Sequence, residues 1–533
     1  MTDFPSEAPW YLIGLPGSGK SKVGFNLAAV LRVPHIDIDT EIERKTGRTV
    51  AEIFRDEGRE RFRELEAQAI LETADFPGVV SLGGGAIETD AVAGFLRDQT
   101  VIWVDADFDV LVARVARSNR RPLLQEDPEA QLAELKARRD PIYARLANYR
   151  VTSSNAPAER VVQQIISMLL GWEYTPVKGS HRYNVLTGVG TTDLLKGYLP
   201  REATRALLVY PESLHDASRP IAKVLGEAGV TVTDFSHVDG ERAKSIETVV
   251  EAWDLLGEVG LGRRDVVVTF GGGVTTDLGG FIAASWLRGI RVIHLPTTLL
   301  AMVDAALGGK TGIDTPAGKN LVGAFHDPHV VLVDLLTLGS LPQAEYAAGL
   351  AEVIKTGFID DPKILQIISD HPEIGSAVWA TGEGLRTLTE IVSRSIAVKA
   401  RVVSSDRLEG GLREILNYGH TMGHAIERAE QYTMRHGEAV AIGSVFAAHL
   451  AHSLGLIPES VVAEHEETFA AVGLPTRYRG QIHVLMEGLR SDKKVRQGSL
   501  RFVLLGEDGR PTVREVSPNA VEKLAVDMGM GEK

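Results

Sequence analysis

Trp10-Tyr-Leu-Ile-Gly14-Leu-Pro-Gly17-Ser18-Gly19-Lys20-Ser21 places four apolar residues ahead of a glycine loop that closes on Lys-Ser. Residues 10–13 read as a short strand, and the loop then opens a helix with apolar periodicity. Strand, glycine loop and helix in that order form the setting of a P-loop. The glycines let backbone N–H groups of Gly17, Ser18 and Gly19 turn inward around phosphates, and the helix N-terminus adds partial positive charge. Lys20 is then placed to reach the β- and γ-phosphates of ATP, and Ser21 to ligate Mg²⁺.

Alternation of strand and helix continues to about residue 170. His35 to Asp39, Val79 to Leu82 and Thr100 to Val104 read as strands with helical segments between them, which predicts a βαβ domain with a parallel sheet. Asp37 and Asp39 close the second of these strands with the same side-chain direction. One can assist Mg²⁺ while the other holds a substrate hydroxyl.

Asp37-Ile-Asp39, Phe62-Arg63-Glu-Leu-Glu66, Gly83-Gly84-Gly85-Ala86, Arg121-Pro-Leu-Leu124 and Arg139-Asp-Pro-Ile-Tyr143 follow the P-loop in order. Together they resemble shikimate kinase over residues 10 to 170. The resemblance implies that Asp39, Arg63, Gly84 and Arg139 bind shikimate, with the two arginines on its carboxylate, a pairing that suits guanidinium geometry. It makes Arg121 the lid residue over ATP, Asp39 the acceptor of the hydroxyl proton, and Ser21 with Asp37 the holders of Mg²⁺.

Gly171-Trp-Glu-Tyr-Thr-Pro-Val-Lys-Gly-Ser180 is rich in turn formers and lacks periodicity, so residues 172–180 read as a linker after a first domain of residues 1–171. A second alternating region begins near His181, with strands expected at Ala206 to Tyr210, Val230 to Phe235, Asp265 to Phe270 and Arg291 to Leu295. After Pro342 the pattern turns helical. The expectation is a Rossmann-like α/β half at 181–341, then an all-α half at 342–533, with a ligand cleft between the halves.

Gly271-Gly-Gly-Val-Thr-Thr-Asp277 follows the strand ending at Phe270 and enters a helix, the setting of a dinucleotide loop. Downstream, Asp304, Gly308-Gly-Lys310, Asp314 and Gly318-Lys319-Asn320 combine lysines, acids and an asparagine among glycines. That constellation suits a polyhydroxylated anion. The chain holds only 15 histidines in 533 residues, yet three fall in Asn417-Tyr-Gly-His420-Thr-Met-Gly-His424-Ala-Ile-Glu427 and Arg435-His436-Gly-Glu438. Such a cluster reads as a metal site or a proton-transfer site, and a spacing of four pairs His420 with His424 on one helix face.

With Gly349-Leu-Ala-Glu352-Val-Ile-Lys355, these segments resemble 3-dehydroquinate synthase across roughly residues 181 to 520. The resemblance assigns Zn²⁺, or another divalent metal such as Co²⁺, to Glu352, His420 and His436, and leaves His424 for catalysis. Two imidazoles and a carboxylate with open positions suit a catalytic divalent ion. By the same resemblance NAD lies against Glu241, Lys244, Gly272, Gly273, Val274, Asp277, Thr297, Thr298, Lys319 and Thr337. Substrate meets Arg288, Asp304, Lys310, Asn320, Lys355, Lys399, Arg413, Asn417 and His424, with a lysine of Lys493-Lys494 at its phosphate end. Asp304, Lys310, His424 and Glu409 are the implied catalytic groups. Departures from the family pattern include Ala305 and Ala306 where serines are common.

The two resemblances imply a bifunctional shikimate-pathway enzyme. It phosphorylates shikimate and converts 3-deoxy-D-arabino-heptulosonate 7-phosphate to 3-dehydroquinate and phosphate. The steps are not consecutive, so direct handover between sites is not expected. Alternatives are a related sugar-phosphate cyclase, a metal-dependent alcohol dehydrogenase, or an inactive regulatory half. Composition agrees with a soluble enzyme: 44% hydrophobic, 24% charged and no cysteine, which excludes disulfides and thiolate ligands. A net charge of −14 argues against general nucleic-acid binding. The N-terminus lacks a signal pattern and no apolar run reaches membrane-span length, so a cytoplasmic protein with no membrane partner is expected. The synthase resemblance suggests a homodimer through that half.

Overall fold

Trp10–Ile13 (β1) is buried along its whole length in a computed structural model of the chain. That explains why the strand is apolar at every position instead of alternating. The structure describes residues 9–116, 128–154, 157–379, 384–407, 411–491 and 499–530, in two compact units, Met1–Gly171 and Trp172–Lys533.

In the first unit, β1 lies between Val79–Ser81 (β3) and Thr100–Asp105 (β4). His35–Asp37 (β2) and Tyr149–Thr152 (β5) complete a parallel sheet of order β2-β3-β1-β4-β5. The strand β5 has no counterpart among those expected from the sequence. Asp39 departs from expectation: β2 ends at Asp37, which caps the helix Ile38–Thr46 by accepting the Thr40 N–H at 3.3 Å. Asp39 therefore lies in the first helical turn, because an aspartate two residues earlier is a better N-cap than a strand residue. The helical stretch Val50–Leu71 opens with a Thr49/Glu52 capping box and bends at Gly58, whose φ of 87° and ψ of 175° suit glycine alone. That bend lies five residues before Arg63.

The second unit holds a seven-stranded sheet. Its strands are Glu173–Lys178 (β6), Arg182–Gly188 (β7), Arg205–Pro211 (β8), Thr231–His237 (β9), Val266–Gly271 (β10), Arg291–Pro296 (β11) and, after a hairpin of Lys310–Thr315 (β12) with Gly318–Phe325 (β13), Val330–Asp334 (β14). Their order is β6-β7-β14-β11-β10-β8-β9, parallel except for β6. The expected linker is thus corrected: residues 173–178 are an edge strand, burying Tyr174 and Val177. Pro176 makes the segment read as irregular, but an edge strand tolerates proline because one row of its N–H groups needs no partner. The glycine-rich stretch from 308 to 320 is likewise mostly hairpin.

The order in which strands are added reverses at the carboxyl ends of β8 and β10, since β8 leads outward to β9 and β10 leads the other way to β11. Such a switch point opens a crevice. Among the described residues from Gln343 onward the unit is helical, except for the hairpin Leu500–Leu505 (β15) and Pro511–Val516 (β16), which corrects the expectation of an all-α half. The hairpin buries Phe502, Val503 and Leu504 on the helical core. No helix among the described residues is long and apolar enough to cross a membrane.

Two buried histidines tie stability to pH. His294 in β11 bonds Thr269 Oγ1 at 2.8 Å, and burial pushes its pKa down to about 3. His465 stacks on Phe358 with ring centroids 3.4 Å apart, and burial pushes it down to about 4. Unfolded histidine protonates near pH ~6.5. Below that pH the unfolded chain binds more protons, so stability is full above it and falls as the pH drops toward 4. Urea midpoints at pH 7.5 and pH 5 should show this loss, and His465→Gln should shrink it. Glycine positions allow a second check. At Gly58 an added Cβ meets nothing within 4 Å, so Gly58→Ala tests backbone strain alone and should cost about 1–3 kcal/mol. Gly94→Ala, in open space on a helix, should instead stabilise by about 0.5–1 kcal/mol.

Candidate functional sites

The loop after β1 is shaped by contacts that only glycine permits. A Cβ on Gly14 would stand 2.2 Å from the Val104 carbonyl oxygen, and Gly17 and Gly19 have φ of 89° and 84°. Gly19 caps the helix Lys20–Leu31, whose first N–H groups therefore face the loop. Arg114 braces it from behind, donating to the Gly17 carbonyl at 3.2 Å and to those of Ser153 and Ser154 at 2.8 and 3.0 Å. Lys20 is 6% exposed, Ser21 is exposed, and Ser18 Oγ is buried without a hydrogen bond. Asp37 lies at the end of β2, and Asp39 is exposed in the first turn of the helix that follows.

Next to this loop, two arginines converge on the glycine triplet. A Cβ on Gly85 would fall 2.1 Å from Arg63 Nη2 and 2.7 Å from Arg139 Nη2. One on Gly83 would fall 3.2 Å from Asp39 Oδ1, and Gly84 stands against Pro16 of the P-loop. Tyr143 Oη donates to the Gly84 carbonyl at 2.6 Å. The structure thus gathers Asp39, Arg63, Gly84 and Arg139 around one small space. It also reveals partners that sequence reasoning missed. Glu66 pairs with Arg63, while Glu88 accepts from Arg138 at 2.7 Å and Arg139 at 3.0 Å. Burial pushes the Glu66 carboxyl up, against the pull of Arg63. No motif marks Glu88, which comes from a neighbouring 3₁₀ turn.

In the second unit Glu352 projects from the helix Gln343–Ile359, His420 begins the helix His420–Ala429 and His436 begins the helix His436–Ser453. Glu352 Oε1 is buried without a hydrogen bond and lies 3.6 Å from His420 Nε2 and 3.5 Å from His436 Nε2. Ligands ~2.1 Å from a tetrahedral ion stand about 3.4 Å apart. The spacing and the unused carboxylate oxygen fit a divalent metal. The His420 Nδ1 proton goes to the Tyr418 carbonyl at 3.1 Å, which leaves Nε2 to face the carboxylate.

Burial would raise the Glu352 carboxyl, but the Lys355 ammonium and the two histidines hold it well below its ordinary range. Burial, with Lys355 close by, keeps His420 neutral. Burial lowers His436 too, yet the carboxylates of Glu352 and Glu427 on either side of its ring outweigh it and push its pKa up to about 10. His424, the partner expected for His420 from spacing, has its ring 5.3 Å from that of His420. It belongs instead to a second group with Glu427 and His436.

Cations crowd the same cleft. Lys399 donates to the Asp304 carbonyl at 2.6 Å and to its carboxylate, and Lys355 donates to Glu352 and to the Leu416 carbonyl at 2.7 Å, beside Asn417. Arg413 is buried, with Nη2 2.8 Å from where a Cβ on Gly308 would stand. Lys310 opens β12 on an exposed edge. Arg288 is exposed on the turn after the helix that begins at Gly273, with a left-handed φ of 67°.

At the switch point, Gly271 stands against Pro211, and a Cβ on Gly272 would sit 3.0 Å from Thr298 Cγ2. The Thr297 N–H donates to the Gly271 carbonyl at 2.9 Å. Val274 follows in the first turn of the helix Gly273–Ser285, whose unpaired N–H groups suit a pyrophosphate. Ala305 lies beside that turn, where a Cβ on Gly273 would stand 3.3 Å from its methyl group. Lys244 donates to Asp277 at 2.8 Å and to Asn320 at 2.6 Å, and lies 3.4 Å from Glu241. Burial pushes Asp277 up to about 6 despite Lys244. Lys319 stands 4.4 Å over the Tyr432 ring, and Thr337 bonds the Asp334 carbonyl after β14. Arg121, Glu409 and Lys493-Lys494 lie outside the described residues.

Comparison with known proteins follows the same division. Residues 16–170 match the family model described as shikimate kinase, 234–348 that of the 3-dehydroquinate synthase N-terminal region and 349–495 that of its C-terminal region. The 3-dehydroquinate synthase of Thermobifida fusca (strain YX) is 50% identical over 332 residues, covering 62% of this chain and 89% of that protein. That of Rhodococcus opacus (strain B4) is 48% identical over 336 residues, covering 63% and 89%. Among solved structures, 2-deoxy-scyllo-inosose synthase complexed with carbaglucose-6-phosphate, NAD⁺ and Co²⁺ is similar at a TM-score of 0.60 and 28% identity, covering 67% of this chain and 99% of that one.

The donor spacing depends on backbone contact, which can be tested. A Cβ on Gly437 would stand 1.9 Å from the Ala348 carbonyl oxygen, one turn before Glu352. Gly437→Ala should force the helices apart, destabilise the unit by at least about 1–3 kcal/mol and weaken Zn²⁺ binding. Thermal unfolding and metal titration of the same sample should both register it.

Proposed function

Because this chain belongs to the 3-dehydroquinate synthase family and carries a shikimate kinase domain ahead of it, we propose residue roles for a bifunctional shikimate-pathway enzyme with one pocket in each unit. The observation that carries the reading of the second pocket is the orphan Glu352 oxygen, faced at 3.5 and 3.6 Å by two imidazole nitrogens.

In the first pocket, the backbone N–H groups of Gly17 to Ser21 and the Lys20 ammonium cradle the phosphates of ATP. Arg63 and Arg139 take the shikimate carboxylate, and Asp39 accepts the proton of the attacking hydroxyl as its oxygen bonds the γ-phosphorus and ADP leaves. Ser21 and Asp37 would hold Mg²⁺, which neutralises charge on the transferring group. Alignment and charge stabilisation carry such a transfer, so a buried, pre-aimed Lys20 counts for more than a strong base.

In the second pocket, Glu352, His420 and His436 would hold Zn²⁺ or Co²⁺, and the Gly272-Gly273 turn with its helix N-terminus would receive the pyrophosphate of NAD. Bound, the two groups supply a reversible alcohol oxidation and polarisation of neighbouring oxygens, which acidifies the adjacent C–H and lets phosphate leave. The chain's own residues do the rest. Lys355, Lys399 and Arg413 draw the sugar acid phosphate into the cleft by its carboxylate and phosphate charges. Asp304 holds Lys399 by its ammonium, and His424, 41% exposed at the rim, moves protons. The net reaction converts 3-deoxy-D-arabino-heptulosonate 7-phosphate to 3-dehydroquinate and phosphate, with no net change in NAD.

We further propose a homodimer through the synthase unit. The half-exposed Leu321 and Phe325, four residues apart on one face of β13, supply an apolar surface for it. Light scattering should give twice the chain mass, and Leu321→Lys should lower it toward one.

Assays of the full chain separate the alternatives. Lys20→Ala should cut shikimate phosphorylation by roughly 10²-fold or more and leave cyclisation intact. His436→Ala should do the reverse, and Arg139→Ala should raise the KM for shikimate by about 10–100-fold. Accumulation of NADH without phosphate release would identify a dehydrogenase. Loss of both activities in either folded variant would contradict separate sites.

A further inference from the structure

Glu427 stands between two of the three clustered histidines, outside the residues assigned above to metal or substrate. It lies three residues after His424 on the same helix, with its side chain 13% exposed. One oxygen, Oε1, is 3.3 Å from His436 Nδ1, and the other, Oε2, is 4.0 Å from His424 Nε2. Across the His436 ring, Nε2 lies 3.5 Å from Glu352 Oε1. The ring is therefore held between two carboxylates, one at each nitrogen.

An imidazole gives a metal one nitrogen, and the hydrogen bond at its other nitrogen decides which. His420 has that bond from the backbone, through the Tyr418 carbonyl at 3.1 Å. His436 starts its own helix and relies on a side chain instead. A carboxylate both orients the ring and raises its basicity as a ligand. We propose that Glu427 is a positioning residue: it clamps His436 through Nδ1 so that Nε2 faces Glu352, and its second oxygen sets His424 beside the same site. One carboxylate thereby ties the metal-holding ring to the proton-moving ring. The inference rests on the metal reading of the second pocket. It opposes a different arrangement, in which Glu427 is itself a ligand with His424 and His436, whose donor atoms also lie within 4.8 Å of one another.

Zn²⁺ affinity of the metal-free full chain, measured by competition with a chelating dye, tests it together with the visible spectrum of the Co²⁺ form. Glu427→Ala should weaken Zn²⁺ binding by about 10–100-fold, and Glu427→Gln by less, since the amide oxygen still accepts from Nδ1. Both should keep the Co²⁺ absorption intensity of the parent, meaning an unchanged ligand number. The near-isosteric glutamine variant guards against misfolding of the alanine one. Affinities within twofold of the parent for both variants would overturn the inference alone, provided His436→Ala and Glu352→Gln still lose the metal. Glu427→Gln matching His436→Ala in lost affinity, with an altered Co²⁺ spectrum, would make Glu427 a ligand and overturn it. Unchanged affinity in His436→Ala and Glu352→Gln would instead remove the metal reading on which it stands.

Discussion

Three helices of the second unit approach one another so closely that their contact points admit only hydrogen. Besides Gly437 against the Ala348 carbonyl, a Cβ on Gly443 would fall 2.0 Å from the Gly419 carbonyl oxygen, and one on Gly419 would fall 2.3 Å from Ser444 Oγ. Each contact lies within a turn or two of Glu352, His420 or His436. Close-packed interiors pass small displacements on to their neighbours. The metal-type spacing thus follows from the backbone contacts. The surrounding core, which includes Tyr418, Met422, Val440 and Phe446, supplies the burial that makes an unpartnered Glu352 oxygen costly without a ligand.

A common electrostatic plan runs through both units. The chain carries a net charge of −14, yet each anion pocket is lined by cations, and most of these cations rest on an acid: Arg63 on Glu66, Arg139 on Glu88, Lys244 on Asp277, Lys355 on Glu352 and Lys399 on Asp304. A buried charge is tolerable only when paired. Pairing also fixes where each ammonium or guanidinium points before a substrate arrives, which limits the ordering cost of binding. In the proposed pockets, local charge balance thus reconciles anionic ligands with a net negative chain.

The glycines divide into two kinds by what they do. Gly17, Gly19 and Gly58 are needed for backbone angles, Gly83, Gly85, Gly437 and Gly443 for room, and Gly14 for both. Around Gly85 the vacant Cβ position lies where two guanidinium groups converge. Space and positive charge are thus created together, the combination on which the proposed carboxylate site rests.

Local order was legible in the sequence wherever neighbouring residues decide it. The strand-loop-helix around Lys20, the buried strand Val266–Gly271 and the helical region holding His420 all follow from apolar pattern and glycine placement. The resemblance motifs likewise named Glu352, His420 and His436. Spacing by itself favoured His420 with His424, because a helix face is a local property, whereas the meeting of His436 with Glu352 depends on helices that begin far apart in the chain. The edge strand at 173–178, the pairing of Glu88 with Arg139 and the contact of Glu427 with His436 were decided only by the tertiary structure. Each depends on what lies across a sheet edge or on a partner from another element, which the pattern of neighbouring residues does not carry.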